Sequence, residues 1–210
     1  MTQFHRALIA TLGMIACSVS FLAPLRAADD GWISLFDGKT LSGWHKNPQK
    51  IGHGTGGRWT VEEGVIAGEQ DPPGSGNGGI LLTDRKFADF EVQIDAKPDW
   101  GVCSGFFLRS NDRGQCFQMM VDYHDAGNVG HVYGEGTGGF SNRPFDINGK
   151  YDDAKKLVGL STKANDAKLP QAYSISGDDW VKAWKLGEWN TLRARVVGNP
   201  PKITTWINDV

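Results

Sequence analysis

The sequence predicts an all-β domain. Among its 210 residues, 28 Gly and 9 Pro separate many short apolar runs, a composition typical of strands joined by turns. The clearest strand is 89–98, whose apolar residues occupy every second position: Phe90, Val92, Ile94 and Ala96. After an N-terminal leader about 180 residues remain, a length that suits one domain with one core.

Alternation and turn signals predict the strands in chain order. A hairpin covers 57–69, and further strands lie within 79–83, 89–98, 103–110, 115–124, 130–135, 188–198 and 202–208. Between them, 136–187 has no clear pattern apart from a short helix at 178–185, so we expect a long loop that acts as a lid. Because the chain stops at Val210 inside or just after a strand, we expect a sandwich truncated at its C-terminus.

Residues 1–28 are typical of an export signal. A positive start at His5-Arg6 precedes an apolar run and a small-residue cleavage pattern, so we expect a periplasmic or extracellular protein. The run 14–17 weakly fits a lipoprotein cleavage site, but the apolar region continues past it, which favours simple secretion. The apolar run is too short and interrupted for a transmembrane segment.

Charge and cysteine usage narrow the class further. The formal net charge is −2 and no basic run occurs, so nucleic acid is not an expected partner. Cys103 and Cys116 are the cysteines outside the leader. If a four-residue turn pairs Ser110 with Gln115, the two cysteines are about six residue steps or ~20 Å apart, too far for a disulfide. We expect two free thiols.

Polar residues collect on one predicted sheet face. On 115–124, side chains of one parity are Gln118, Met120, Asp122 and His124, whereas the other parity is apolar or aromatic. The same turn places Arg109 across from Cys116 and Phe107 across from Gln118, and the next strand offers His131, Tyr133 and Glu135 on one side. Because a core needs none of these polar groups, this face is the predicted site.

Several motifs together resemble one family. They are LFDGKTLSGW at 35–44, W-x-V-x-x-G-x-I-x-G at 59–68, DFE at 89–91, SGFFLRS at 104–110, YG at 133–134 and EWN at 188–190. From about residue 31 to the end, the chain resembles the 3-keto-disaccharide hydrolase domain. The resemblance implies a concanavalin-like jelly roll of two antiparallel sheets with a concave sugar-facing surface. Where this chain has Gln118, family members often have Glu, and where it has Met120 they often have Gln. Asp122 provides a carboxylate on the same face in place of the missing one.

The resemblance implies substrates that are disaccharides or other glycosides already oxidised to a ketone at carbon 3. A base would remove the proton on carbon 2, the enolate would expel the glycosidic oxygen, and water would add back. We assign His124 as the base, with Asp122 or Asp125 orienting it or holding a metal. Arg109 would stabilise the enolate or anchor a hydroxyl, and Tyr133 or His131 would protonate the leaving oxygen.

The remaining predicted contacts concern substrate hydroxyls and a possible ion. Gln118, Glu135, Gln93 and Asp95 are the candidate substrate-binding residues. No cofactor is required, but Asp122, His124 and His131 resemble an open set of ligands for a divalent metal ion.

Each assignment has a structural alternative. Arg109 could be an ion-pair partner of Asp122, and Tyr133 could simply pack its ring. The competing function is a non-catalytic, lectin-like carbohydrate-binding module, and a third alternative is an inactive fragment. The titratable cluster favours an enzyme, because a lectin needs no such group in its concavity. The sequence does not specify an oligomeric state.

Overall fold

A computed structural model describes residues 31–48, 55–165 and 173–210. The chain divides into two units, 1–35 and 36–210, and the strands and the site described below belong to the second. The predicted leader, 1–28, lies outside the described residues. Within the described ranges, no helix has the length and apolar character needed to cross a membrane.

The regular secondary structure of the described residues is nearly all β-strand, with a single short helix. In chain order the elements are β1 (Trp44–Lys46), β2 (Arg58–Glu62), β3 (Val65–Glu69), β4 (Leu81–Thr83), β5 (Phe90–Ala96), β6 (Gly105–Leu108), β7 (Cys116–Asp122), β8 (Asn128–Glu135), β9 (Ser141–Asn142), β10 (Phe145–Tyr151), β11 (Leu157–Ala164), α1 (Gly177–Ala183), β12 (Asn190–Val197) and β13 (Lys202–Ile207). Every strand predicted from alternation is therefore present, with ends shifted by a few residues.

Two antiparallel sheets form the layers of a jelly-roll sandwich, which confirms the predicted fold class. One sheet has the order β13-β12-β5 and the other the order β6-β7-β8-β9. Three antiparallel pairs accompany them: β1 with β4, β2 with β3, and β10 with β11.

The core lies between the inner faces of these two sheets. Met119 and Val121 of β7 belong to one buried cluster with Leu192 and Ala194 of β12. Burial of a large aliphatic side chain contributes about 1.5–3 kcal/mol, so this alternation on both sheets determines which face of each strand points outward.

The β6–β7 register confirms the predicted turn. Phe107 pairs with Gln118, and the Asn111 amide donates to the Gln115 carbonyl at 3.2 Å. Both Cys103 and Cys116 are free thiols, as that register required.

The segment 136–187 is not the long loop that the sequence predicted. It contains β9, β10, β11 and α1, and Phe145 and Ile147 of β10 are buried in the core. Trp180 of α1 is 2% exposed, and its indole N–H donates to the Val129 carbonyl at 3.0 Å. One buried tryptophan thus anchors a seven-residue helix, a signal too short for periodicity to detect.

Candidate functional site

The predicted polar face lies on the outer side of the β6–β9 sheet, and the outward-pointing residues of β7 form part of it. Because Met119 and Val121 point into the core, Gln118, Met120 and Asp122 point away from it. Gln118 has Phe107 on one side and Tyr133 on the other. Asn128 pairs with Asp122 from β8. The structure therefore places Gln118 and Asp122 on one face, as strand parity predicted.

Cys103 lies opposite Asp122 at the end of the same strand pair. It sits between the Val121–Ser104 backbone hydrogen bond and the bridge of Val102 with Tyr123. Ligand atoms of Cys103, Asp122 and His124 all lie within 4.8 Å of one another. We call these three residues the Cys-Asp-His cluster.

The Cys-Asp-His cluster contains a buried carboxylate with one unpaired oxygen and a thiol with a raised pKa. Asp122 is 9% exposed, and its Oδ1 atom has no hydrogen-bond partner. Burial, a hydrogen bond to Asp122 and the charge of that carboxylate together raise the pKa of the Cys103 thiol to about 11. The thiol is therefore protonated near neutral pH.

A backbone contact orients the His124 ring. Nδ1 lies 2.8 Å from the carbonyl oxygen of Asp125. A carbonyl can only accept, so Nδ1 carries the hydrogen, and Nε2 of the neutral ring keeps its lone pair. The Asp125 carboxylate is occupied elsewhere: it accepts from the Gly149 amide at 2.8 Å and from the Tyr151 hydroxyl at 3.0 Å. Asp125 therefore orients His124 through its main chain, not through its side chain.

A pocket of about 190 Å³ adjoins the cluster. Its lining residues are Met120, Asn128, Val132, Tyr133, Ser141, Asn142 and Arg143. Since Asn128 is the cross-strand partner of Asp122, the pocket and the cluster are about 5 Å apart at the backbone. The side-chain oxygens of Asn128 and Asn142 are buried without a hydrogen-bond partner. These acceptors need donors, and hydroxyl groups of a ligand would supply them.

Gln118 and Tyr133 form the next row of the polar face. Gln118 is 5% exposed, and its side chain passes over Gly105: a Cβ at that glycine would lie 1.8 Å from Nε2. Tyr133 is 38% exposed and lines the pocket. Glu135 lies further along β8, opposite Cys116, on the same side as Tyr133.

The fold does not place Arg109 near His124. Its φ of +55° turns the chain away from the strand, and its guanidinium donates to Ala88 O at 2.6 Å, Gly198 O at 2.8 Å and Asp89 Oδ1 at 2.6 Å. The register also separates it from Asp122, because Cys116 and Asp122 are six steps or about 20 Å apart on β7. The expected convergence was wrong, and so was the alternative pairing with Asp122.

His131 points away from the Cys-Asp-His cluster. Gly130, at φ +93°, and His131 together oppose the single residue Met120, which forms a bulge in β8. The imidazole packs edge-on against core residue Phe145 with centroids 4.6 Å apart, and its Nδ1 is buried without a partner. Burial, helped by the charge of Arg143, lowers the pKa of His131 to about 4. A neutral ring held against the core is a poor proton donor, and it is not part of the ligand set that we expected.

Gln93 and Asp95 lie on the opposite side of the molecule. They belong to β5 and pair with Arg193 and Thr191 of β12, on the face turned away from the core. The Thr191 hydroxyl donates to Asp95 Oδ1 at 2.7 Å. The prediction that they bind the same substrate as Gln118 fails, because alternation within one strand does not show which sheet the strand joins.

The sequence interpretation missed two residues. Extending the predicted register from Ser110 and Gln115 would have placed Cys103 opposite Asp122. Arg143 lies in the segment predicted as a loop, where no pattern pointed to it. Its Nε donates to Asp146 at 2.7 Å and its Nη2 to the Ala126 carbonyl, which leaves Nη1 without an acceptor among the described residues.

Two comparisons with known proteins show what this chain is similar to. The model of the 3-keto-alpha-glucoside-1,2-lyase-like domain matches residues 31–210. A 3-keto-disaccharide hydrolase of Bacteroides thetaiotaomicron is 34% identical over 111 residues, a segment that covers 45% of this chain and 36% of that protein. The chain thus spans little more than a third of that relative's length. Because the family match extends over well over half of the sequence, the chain belongs to the 3-keto-alpha-glucoside-1,2-lyase-like domain family.

Proposed function

We propose that the pocket binds a glycoside oxidised at carbon 3, and that this protein cleaves the glycosidic bond by elimination followed by hydration. The observation that carries the proposal is the orientation of His124: its Nδ1 contacts the Asp125 carbonyl, which leaves the Nε2 lone pair free, and its neighbour Asp122 pairs with the pocket residue Asn128. Family membership and the name of the Bacteroides relative support the substrate class.

The ketone makes this chemistry accessible to a single base. A carbonyl at carbon 3 acidifies the hydrogen on carbon 2, so His124 Nε2 can remove it without an oxocarbenium ion. The paired carboxylates of ordinary glycosidases are therefore not needed. After proton transfer, the enolate expels the oxygen on carbon 1, and water then adds to the resulting double bond.

Arg143 takes the role that the sequence interpretation gave to Arg109. Its guanidinium lines the pocket, and two of its nitrogens are fixed by Asp146 and Ala126. The third, Nη1, can donate to the enolate oxygen that forms on carbon 3. A donor fixed before the reaction stabilises that charge without reorganisation, which is worth several kcal/mol in known sites.

The other end of the pocket suits the departing sugar. Four residue steps separate Asp122 from Gln118 on β7, about 13 Å, a span comparable to two sugar rings. Tyr133 lies beside Gln118 and exposes its ring. Six residue steps along β7 separate its partner Gln118 from His124, about 20 Å, so Tyr133 lies too far away to serve the bond that His124 attacks, and solvent water protonates the leaving oxygen. Tyr133 instead packs its ring against the leaving sugar, while the Gln118 amide and the unpaired asparagine oxygens hold hydroxyl groups.

The test replaces His124 by Gln, which keeps polarity but removes the base. With a 3-keto disaccharide in D₂O, NMR reports exchange of the carbon 2 proton, and a separate assay reports sugar release. Both should fall about 10²- to 10⁴-fold. The matched control is His45→Gln, a histidine on β1 paired with Asp84 at 2.6 Å, which should react at the original rate.

Unchanged exchange and release in His124→Gln would remove this residue from the mechanism. Equal cleavage of the unoxidised disaccharide would replace the eliminative route by ordinary glycoside hydrolysis. Retention of the sugar by the unaltered protein without any product would support the lectin-like alternative instead.

A further inference from the structure

We infer that Cys103, Asp122 and His124 form a binding site for one Zn²⁺ ion. This goes beyond the proposed reaction, because ion binding does not require the substrate. An ion held through His124 Nε2 occupies the lone pair that the proposed base uses, so the metal-free protein is the form that reacts. Within the described ranges, this is the one group of three His, Cys, Asp or Glu side chains whose ligand atoms converge in this way.

The geometry is close to that of a bound ion. Bonds of about 2.0–2.3 Å in a tetrahedral zinc site place ligand atoms roughly 3.3–3.8 Å from one another. The three atoms here lie within 4.8 Å, so they must move together by about 1 Å. Cys103 can supply much of this movement, because it is exposed and precedes the first residue of β6.

Two further features of these side chains point to a cation. The buried Oδ1 atom of Asp122 has no partner, and leaving a buried carboxylate oxygen unpaired is unfavourable. The Nδ1–H of His124 donates to a main-chain carbonyl, which is the contact that orients metal-binding histidines in known sites. A cation between these groups would satisfy the oxygen and use the Nε2 lone pair.

The ligand types select the ion. A thiolate with an imidazole and a carboxylate suits Zn²⁺, whereas Mg²⁺ and Ca²⁺ prefer sites made of oxygen alone. As the Zn–S bond forms, the thiol proton leaves to solvent. Three protein ligands leave a fourth position for water, the arrangement found in catalytic and not in closed structural zinc sites.

The experiment uses the full chain without an affinity tag, freed of metal by a chelator. Calorimetric titration with Zn²⁺ should show one ion per chain, and Co²⁺ should give a thiolate-to-metal absorption band. Cys103→Ala and His124→Ala should each weaken binding by at least about 100-fold, and Cys103→Ala should also abolish the band. His45→Ala, which disrupts the exposed histidine–aspartate pair with Asp84, should bind as the unaltered protein does.

Equal binding by Cys103→Ala, or a Co²⁺ complex without the thiolate band, would overturn the inference, as would the absence of binding. Circular dichroism of the metal-free variants shows whether each is folded, so that lost binding is not confused with lost structure. Zinc binding together with no conversion of a 3-keto disaccharide by the metal-free protein would contradict the proposed function and leave the ion site standing. Turnover by protein that binds no zinc would do the reverse.

Discussion

Acid should destabilise this domain through His131. In the folded protein its pKa is about 4, because the ring is buried against Phe145. In the unfolded chain it returns to about 6.5. Between these values the unfolded state binds more protons than the folded state, so stability falls as the pH falls. The stability that the neutral His131 ring contributes is complete above about pH 6.5 and is lost by about pH 4.

The size of the effect follows from the two pKa values. A difference of 2.5 units corresponds to about 3 kcal/mol at pH values well below 4, and to about 2.5 kcal/mol at pH ~4.5. Arg143 and Asp146 are the charged groups that act on the ring, and their effects on its charge oppose one another. Replacement by Leu removes the titration at similar volume, and it also removes a buried nitrogen that has no partner.

Urea unfolding at pH about 7.5 and about 4.5 measures the effect. We expect the unaltered protein to lose about 2.5 kcal/mol more than His131→Leu over this interval, because the other acid-sensitive groups are common to both. A His45→Leu control removes an exposed histidine that pairs with Asp84, and it should leave most of this difference in place. If the unaltered protein and His131→Leu lose equal stability, the imidazole is protonated in the fold and its assignment as a neutral buried ring is wrong.

Three further results are expected. Arg109→Ala should lower the free energy of unfolding in urea by about 2–4 kcal/mol with little change in kcat, because three structural acceptors lose their donor. Arg143→Ala should instead lower kcat about 10²-fold or more. If Arg109→Ala lowers kcat and Arg143→Ala does not, Arg109 and not Arg143 acts in the reaction. Gly105→Ala should raise KM about 3- to 10-fold by displacing the glutamine amide that lies over it. Gly159→Ala is its control, since the nearest atom to an added Cβ there is 3.7 Å away. Equal KM values for the two variants would contradict a role in substrate binding for the Gln118 side chain over Gly105. Finally, mass spectrometry of the protein exported from bacteria should show loss of 1–28, and an intact leader would refute the export signal.

The fold was predictable because alternation and turn residues act locally. Strand parity placed Gln118 and Asp122 on one face, and a four-residue turn gave the β6–β7 register correctly. The 136–187 region was missed because β10 depends on contacts distant in sequence. A helix of seven residues that is anchored by Trp180 leaves no periodic pattern.

The site was only partly predictable, because backbone irregularities redirect side chains. A positive φ at Arg109 takes its guanidinium to Asp89, and the bulge at Gly130 turns the next imidazole onto the core. Neither irregularity follows from alternation, which assumes a regular strand. The sheet to which Gln93 belongs was likewise a question of long-range pairing.

The register also determines where chemistry and binding can occur on the polar face. Arg109 and Cys103 lie at opposite ends of one strand pair, so only one of them can join Asp122, and the pairing selects the thiol. Along β7, Gln118 and Met120 cannot exchange protons near neutral pH, whereas the Asp122 carboxylate and the His124 imidazole lie together at the other end. Under the proposed mechanism, a substrate in the pocket would place its ketone-bearing ring toward His124 and its leaving sugar toward Tyr133. Reversed binding would put the acidified hydrogen beside an amide, where no base is available to remove it.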